Sequence, residues 1–148
     1  MSVANLPLVH GRTKQIVSPS VVEVSLDLGF GVFLAKEVSI SGFTLDRTVQ
    51  RGTDEWLQAK RAAIVLMGSK RLIVAPDAPD REKWGKRPTL IARVFLNERI
   101  HGRPVGYTEA GLVRNPELEL GPFMAWLQVR GWKLSDVKAA LNGAPRDG

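Results

Sequence analysis

The fold is decided by the stretch Val21–Phe43, which reads VVEVSLDLGFGVFLAKEVSISGF. In its first part, valine and leucine alternate with glutamate, serine and aspartate, the period-2 pattern of a β-strand with one buried face. The glycines on either side of Phe30 allow a sharp turn with positive φ, which the aromatic ring would pin. Apolar residues return at Val32–Leu34 and Val38–Ile40, with a polar interruption between them. The stretch therefore predicts a strand, a tight turn and a second, interrupted strand.

The remaining regular elements are predicted from the same kinds of pattern. Three further strands are expected at Arg12–Val17, Arg71–Ala75 and Thr89–Leu96. Apolar residues at helical spacing predict three helices: one capped by Thr53 and ending near Gly68, one from Pro122 to Gly131, and one over Asp136–Leu141 capped by Ser135. Five short strands with helices after the third and the fifth resemble an oligonucleotide-binding (OB) barrel. The predicted fold class is α+β, mainly β: a five-stranded OB-like barrel with two to three packed helices.

The domain organisation follows from length and from the position of glycine and proline. A chain of 148 residues forms one domain. We expect this domain to span residues 12–142, with flexible tails at 1–11 and 143–148. The connection 97–121 is rich in glycine and proline, and loops of this length without regular structure are usually functional or mobile.

Composition narrows the function classes. The chain has no cysteine, which excludes disulfides, zinc-thiolate sites and a thiol nucleophile. It has no apolar run near the ~20 residues of a membrane span and no secretory signal, so a cytoplasmic location and no membrane partner are expected. The net charge of +6 favours a nucleic acid or another polyanion as partner, with solubility alone as the alternative.

Four stretches together resemble the staphylococcal-nuclease-like (thermonuclease) family, especially its bacterial and phage members. They are the hairpin VEVSLDLGFGV…EVSISGF, the helix RGTDEWLQAKRAAIVL, the strand WGKRPTLIARVFL and the helix FMAWLQVRGW, in the order in which the family has them. The resemblance implies an OB-like barrel, an origin in a phage or mobile element, and a calcium-dependent phosphodiesterase ancestry. In such enzymes aspartates hold the cation, a glutamate activates water, and two arginines stabilise charge at phosphorus.

Most positions that carry these roles hold other residues in this chain. The metal-binding aspartates correspond to Ser20 and Thr44, the first arginine to Ser39, and the general-base glutamate to Arg47. Only the second arginine has a counterpart, which is either Lys86 or Arg87. A shifted alignment would move Asp46 into one vacant position, but it restores no complete site.

A calcium ion needs anionic oxygen ligands, and these positions supply hydroxyls and a guanidinium. We therefore expect no bound metal, no cofactor and no catalytic residue, which is the pattern of a pseudonuclease. The two histidines, His10 and His101, are expected in loops and far apart, so they predict no catalytic pair.

The leading hypothesis is nucleic-acid binding through a basic groove. The predicted groove residues are cations and one tryptophan that could stack on a base: Lys36, Arg47, Arg51, Lys83, Trp84, Lys86, Arg87 and Arg93. A second hypothesis is a structural or protein-interaction module, a phage particle component or an inhibitor of a host protein. It would use residues 97–123, because the family has only a short turn where this chain has the insertion 97–121. A third hypothesis is a divergent metal-dependent endonuclease.

Overall fold

The computed structural model describes residues 9–77, 88–97, 99–100, 103–104 and 119–141. The strands of the main sheet are β1 (Val9–Ser18), β2 (Val21–Gly29), β3 (Val32–Ile40), β4 (Arg71–Pro76) and β5 (Thr89–Leu96). Two short strands follow, β6 (Arg99–Ile100) and β7 (Arg103–Pro104). The helices are α1 (Asp54–Met67), α2 (Leu120–Val129) and α3 (Leu134–Leu141).

The five long strands close into a barrel in the order β1-β2-β3-β5-β4, and β4 pairs back onto β1. All neighbours are antiparallel except β3 and β5, which run parallel. Helix α1 connects β3 to β4. Closure gives every barrel strand two neighbours, with β1 paired to β4 over Val9–Arg12 and β3 paired to β5 over Glu37–Ile40. The predicted mainly β fold, with an OB-like barrel and packed helices, is confirmed at this level.

The core is filled by the inward faces of the strands and one face of α1. On β2 the alternation seen in the sequence is confirmed, because Val22, Val24 and Leu26 are fully buried. Alanines line the buried face of α1, including Ala59 and Ala63, so the helix axis is able to approach the barrel closely. Full burial of each large aliphatic side chain contributes about 1.5–3 kcal/mol, which makes this alternation the main determinant of the fold.

The hairpin differs from the prediction in two respects. The interruption between the two halves of the second strand is absent, because Glu37 pairs with both Glu23 of β2 and Thr89 of β5 and keeps β3 continuous. Phe30 does not pin the turn, since its ring is fully exposed and its φ is 55°. A polar contact holds the turn instead: the backbone N–H of Gly29 donates to Asp27 Oδ1 at 2.8 Å.

Element boundaries differ where tertiary pairing extends a segment. Strand β1 begins at Val9, because its first four residues pair with β4 and close the barrel. His10 therefore lies on a strand and not in a loop. Helix α2 begins at Leu120, before Pro122, and α3 begins at Leu134, so Ser135 lies inside that helix.

Other boundary predictions are confirmed. Thr53 caps α1, because its hydroxyl accepts a hydrogen bond from the backbone N–H of Trp56 at 3.2 Å. Strand β5 has the predicted limits. The long connection contains β6 and β7, and its other residues from 98 to 118 lie outside the described ones. No helix in the described part of the chain is long and apolar enough to cross a membrane.

Candidate functional site

Three backbone hydrogen bonds bring the predicted site together where the end of β3 meets the start of β5. The N–H of Ile40 donates to the carbonyl of Ser20 at 3.0 Å, and the N–H of Ser41 donates to the carbonyl of Ala92 at 2.7 Å. On the other side of β5, the N–H of Asp77 donates to the carbonyl of Ile91 at 2.8 Å. We call this region, built from Ser20, residues 39–41, residues 91–92 and Asp77, the β3–β5 corner.

Ser20 and Ser39 both belong to this corner. Ser20 lies in the turn between β1 and β2, and Ser39 pairs with Val21 on one side and Ile91 on the other. Both serines are half-buried. Ser39 alternates with the buried Val38 and Ile40, so its side chain points away from the core. The corner thus has a hydroxyl group at Ser20, to which the resemblance assigns a metal-binding aspartate. It has another at Ser39, to which the resemblance assigns the first arginine.

Thr44 and Arg47 lie on the segment that follows β3, and α2 fixes this segment in place. Gln128 donates from Nε2 to the carbonyl of Thr44 at 3.1 Å and accepts at Oε1 from the N–H of Asp46 at 2.8 Å. The side chains of Thr44 and Arg47 are exposed. The backbone of this segment is therefore held by the helix, while its hydroxyl and guanidinium groups face solvent.

Asp46, the acid that a shifted alignment would place in the site, serves its own loop. Its Oδ1 accepts from the backbone N–H and the hydroxyl of Thr48, both at 3.0 Å. The backbone N–H of Thr48, and then its hydroxyl, hold the pKa of Asp46 below its usual 3.8. Among the described residues, no group of three histidine, aspartate or glutamate side chains is placed to hold a metal ion.

Arg93, a predicted phosphate contact, is held by a carboxylate. Its Nε donates to Glu119 Oε2 at 2.9 Å, and its Nη2 donates to Glu119 Oε1. Glu119 is only 7% exposed and immediately precedes α2, so the pair ties β5 to the start of that helix. The hydrogen bonds to Glu119 raise the pKa of Arg93. A phosphate at Arg93 would have to compete with Glu119, and the predicted binding role stays a prediction.

The other predicted groove residues divide into two sets. Arg51 is exposed and lies 5.9 Å from the ring centre of the buried Trp56, and Lys36 is half-buried on β3. Lys83, Trp84, Lys86 and Arg87 lie outside the described residues. The described residues on either side of this gap are Asp77, which belongs to the β3–β5 corner, and Pro88.

The surface proposed for a protein partner, residues 97–123, is described only in part. Leu120 and Phe123, at its end, are buried in the main core. Pro122, which lies between them, is exposed, so it is the described residue at this end of the range that a partner could contact.

One cleft contains residues that the sequence reasoning did not select. It has a volume of about 300 Å³ and lies on the outer face of the barrel, lined by His10, Gly11, Arg12, Thr13, Lys14, Ser25, Asp27, Phe33 and Arg71. The alternation of His10, Arg12 and Lys14 along β1 was the available signal, because residues two apart on a strand share one face. A second cleft, of about 320 Å³, lies between α1 and α3 and is lined by Asp54, Leu57, Gln58, Arg61 and Leu134.

Comparison with protein-family models and with curated proteins finds no match for this chain. The structure therefore defines the class of fold, a closed five-stranded OB-like barrel with three helices in the described residues. The likeness to the staphylococcal-nuclease family rests on the four sequence stretches and their order.

Proposed function

We propose that this chain is a nucleic-acid-binding barrel of the staphylococcal-nuclease type that has lost the hydrolytic site. The observation that carries the proposal is the composition of the β3–β5 corner. Ser20 and Ser39 meet there, and Thr44 and Arg47 follow on the adjoining segment. None of these four side chains is an anion, so they offer a divalent cation no charged ligand.

The same replacements favour contact with a phosphate backbone. Carboxylates repel phosphate, and the one charged side chain among these four positions is the exposed cation Arg47. Arg51 follows it in the chain as a second exposed cation, and Asp77 is the one carboxylate of the corner. The chain as a whole carries a charge of +6, which attracts polyanions at long range. Binding of this kind releases counterions and therefore weakens steeply as salt rises. The proposed setting is the cytoplasm of a bacterial or phage-infected cell.

Electrophoretic mobility shift tests the binding half of the proposal. The full chain is titrated into single- and double-stranded DNA and into RNA at about 50 and about 200 mM salt. We expect a shift at the lower salt that weakens at the higher one. The double variant Arg47→Gln/Arg51→Gln should bind more weakly and with a shallower salt dependence. Absence of any shift at the lower salt would contradict the proposal.

Plasmid digestion tests the hydrolytic half. The chain is incubated with supercoiled plasmid and calcium, magnesium or manganese, with and without EDTA. We expect the plasmid to remain supercoiled in every condition. Cleavage that EDTA abolishes would show that a metal site exists, and the third hypothesis, an active endonuclease, would replace the proposed one.

A further inference from the structure

The cleft on the outer face of the barrel has a basic lining and lies away from the β3–β5 corner. Residues from four adjacent strands form it, at the hairpin end of β2 and β3. Phe33 precedes Ser39 by six positions on β3, which corresponds to about 20 Å along the strand. The cleft is therefore a surface separate from the corner.

The strands place two guanidinium groups side by side in this cleft. Arg12 of β1 and Arg71 of β4 are direct cross-strand partners, and Lys14 lies on the same side of β1. Among the described residues, Arg12 and Lys14 form no ion pair. These two cations are therefore the groups of the cleft that an anion would contact.

The negative and polar groups of the cleft leave its basic character intact. The described lining of the cleft contains one carboxylate, that of Asp27. Its Oδ1 already accepts a hydrogen bond from the backbone N–H of Gly29. Ser25 and the buried Thr13 add hydroxyl groups, and that of Thr13 has no hydrogen-bond partner among the described residues.

An aromatic ring completes the cleft. Phe33 is 63% exposed, is the cross-strand partner of Asp27 and lines the cleft together with Arg12 and Lys14. A base stacked on this ring would remove apolar surface from water. Cations that contact phosphates, beside an aromatic ring on which a base stacks, are the elements of single-strand recognition. A volume of about 300 Å³ lies at the lower end of the range for ligand sites.

We propose that this cleft binds single-stranded nucleic acid, with phosphates contacting Arg12 and Lys14 and one base stacking on Phe33. The inference rests on the proposed nucleic-acid binding and assigns to it a surface other than the corner. A duplex keeps its bases stacked inside the helix, so the cleft distinguishes single strands from duplexes.

Fluorescence anisotropy with a labelled DNA strand of about 20 nucleotides tests the proposal. The double variant Arg12→Gln/Lys14→Gln is compared with Lys133→Gln/Lys138→Gln, which removes the same charge from exposed positions at and beside α3. For single strands, each lost phosphate contact lowers the slope of log K against log salt by about 0.7. We expect a loss near 1.4 for the cleft variant and little change for the control. The thermal midpoint of the cleft variant should change little, because both substituted side chains are exposed.

The aromatic contact has its own matched pair. Phe33→Ala should weaken single-strand binding about tenfold, as expected for one lost stacking contact. Phe30→Ala, which removes an exposed ring outside the cleft lining, should leave the affinity unchanged. The labelled duplex should bind both variants as it binds the unmodified chain.

The outcomes separate this inference from the proposed function. If the unmodified chain binds neither single strands nor duplexes, both are wrong. If it binds duplexes but no single strand, the inference is overturned and the proposed function stands. If it binds and the cleft variants bind equally well, the inference is overturned and the proposed function stands. If a polyglutamate peptide displaces the strand and Phe33→Ala has no effect, the cleft takes acidic protein segments and the inference is again overturned.

Discussion

Gly121 is the residue at which the packing of this protein leaves least room. It lies in the first turn of α2, where a Cβ atom would overlap the carbonyl oxygen of Ser41 at the β3–β5 corner. Gly131, just beyond the other end of α2, has no atom within 4 Å of such a Cβ but a φ of +84°. The first glycine is required for space and the second for backbone conformation.

We expect Gly121→Ala to lower the free energy of unfolding by about 3 kcal/mol, because α2 or the chain after β3 must shift. Gly131→Ala should cost only about 1–2 kcal/mol, the penalty of a left-handed backbone. Urea denaturation of both variants measures the difference. Equal losses would mean that the contact between α2 and Ser41 is looser than the structure has it.

Asp46 predicts a pH dependence confined to the acid range. Hydrogen bonds from Thr48 hold the pKa of Asp46 below 3.8 in the folded protein. A lowered folded pKa means that the ionised group stabilises the loop above about pH 3.8 and loses that effect as pH falls through the lowered value. An NMR titration of the Asp46 carboxyl carbon should therefore show a midpoint below 3.8. Thr48→Ala, which keeps the backbone donor, should move that midpoint part of the way back. A midpoint at the ordinary value in the unmodified chain would contradict the observed loop geometry.

At the scale of elements, the ion pair between Arg93 and Glu119 joins the barrel to α2. Glu119 also bridges to Phe95 through the backbone, so strand and helix meet at one residue. The Arg93 side chain is 33% exposed and that of Glu119 is 10% exposed. Glu119→Ala would leave a partly buried guanidinium without this partner, and we expect a loss of about 2 kcal/mol. A double-mutant cycle with Arg93→Met measures the coupling between the two side chains.

The same cycle decides whether Arg93 also contacts nucleic acid. If its role is structural, Arg93→Met lowers stability and leaves the salt dependence of binding unchanged. A shallower salt dependence without loss of stability would assign Arg93 to the groove that the sequence predicted.

Elements with strong local signals could be predicted from the sequence. The cap of α1 at Thr53 and the limits of β5 depend on neighbouring residues, and both are confirmed. The first three residues of β1 and the continuity of β3 were missed. Their conformation is set by hydrogen bonds to β4, β2 and β5, which are distant in sequence.

The candidate sites show the same limit. The resemblance led to Ser20 and Ser39, which the barrel brings together. It could not show that Glu119, separated from Arg93 by 26 positions, would engage that arginine. The outer cleft was missed because Arg12 and Arg71 become neighbours only when the barrel closes.

At the scale of the whole molecule, the barrel carries two separate candidate binding surfaces. One is the β3–β5 corner, where the resemblance places a lost metal site, and the other is the outer cleft. Neither surface depends on a bound metal in the proposed function. Divalent cations and oligonucleotides should therefore affect the stability of the protein differently.

Thermal unfolding tests this distinction directly. A ligand that binds only the folded state at a concentration of about 100 times its Kd stabilises by about 2.7 kcal/mol. For a chain of this length that corresponds to a rise in Tm of about 5–10 °C. We expect such a rise with a single-stranded oligonucleotide at low salt and none with calcium, magnesium or manganese. The resemblance assigns the catalytic positions to four side chains that are uncharged or cationic, so a calcium-induced rise in Tm would require carboxylates from elsewhere in the chain. Such a rise, if EDTA reversed it, would contradict the loss of the metal site and would favour the hypothesis of a metal-dependent nuclease.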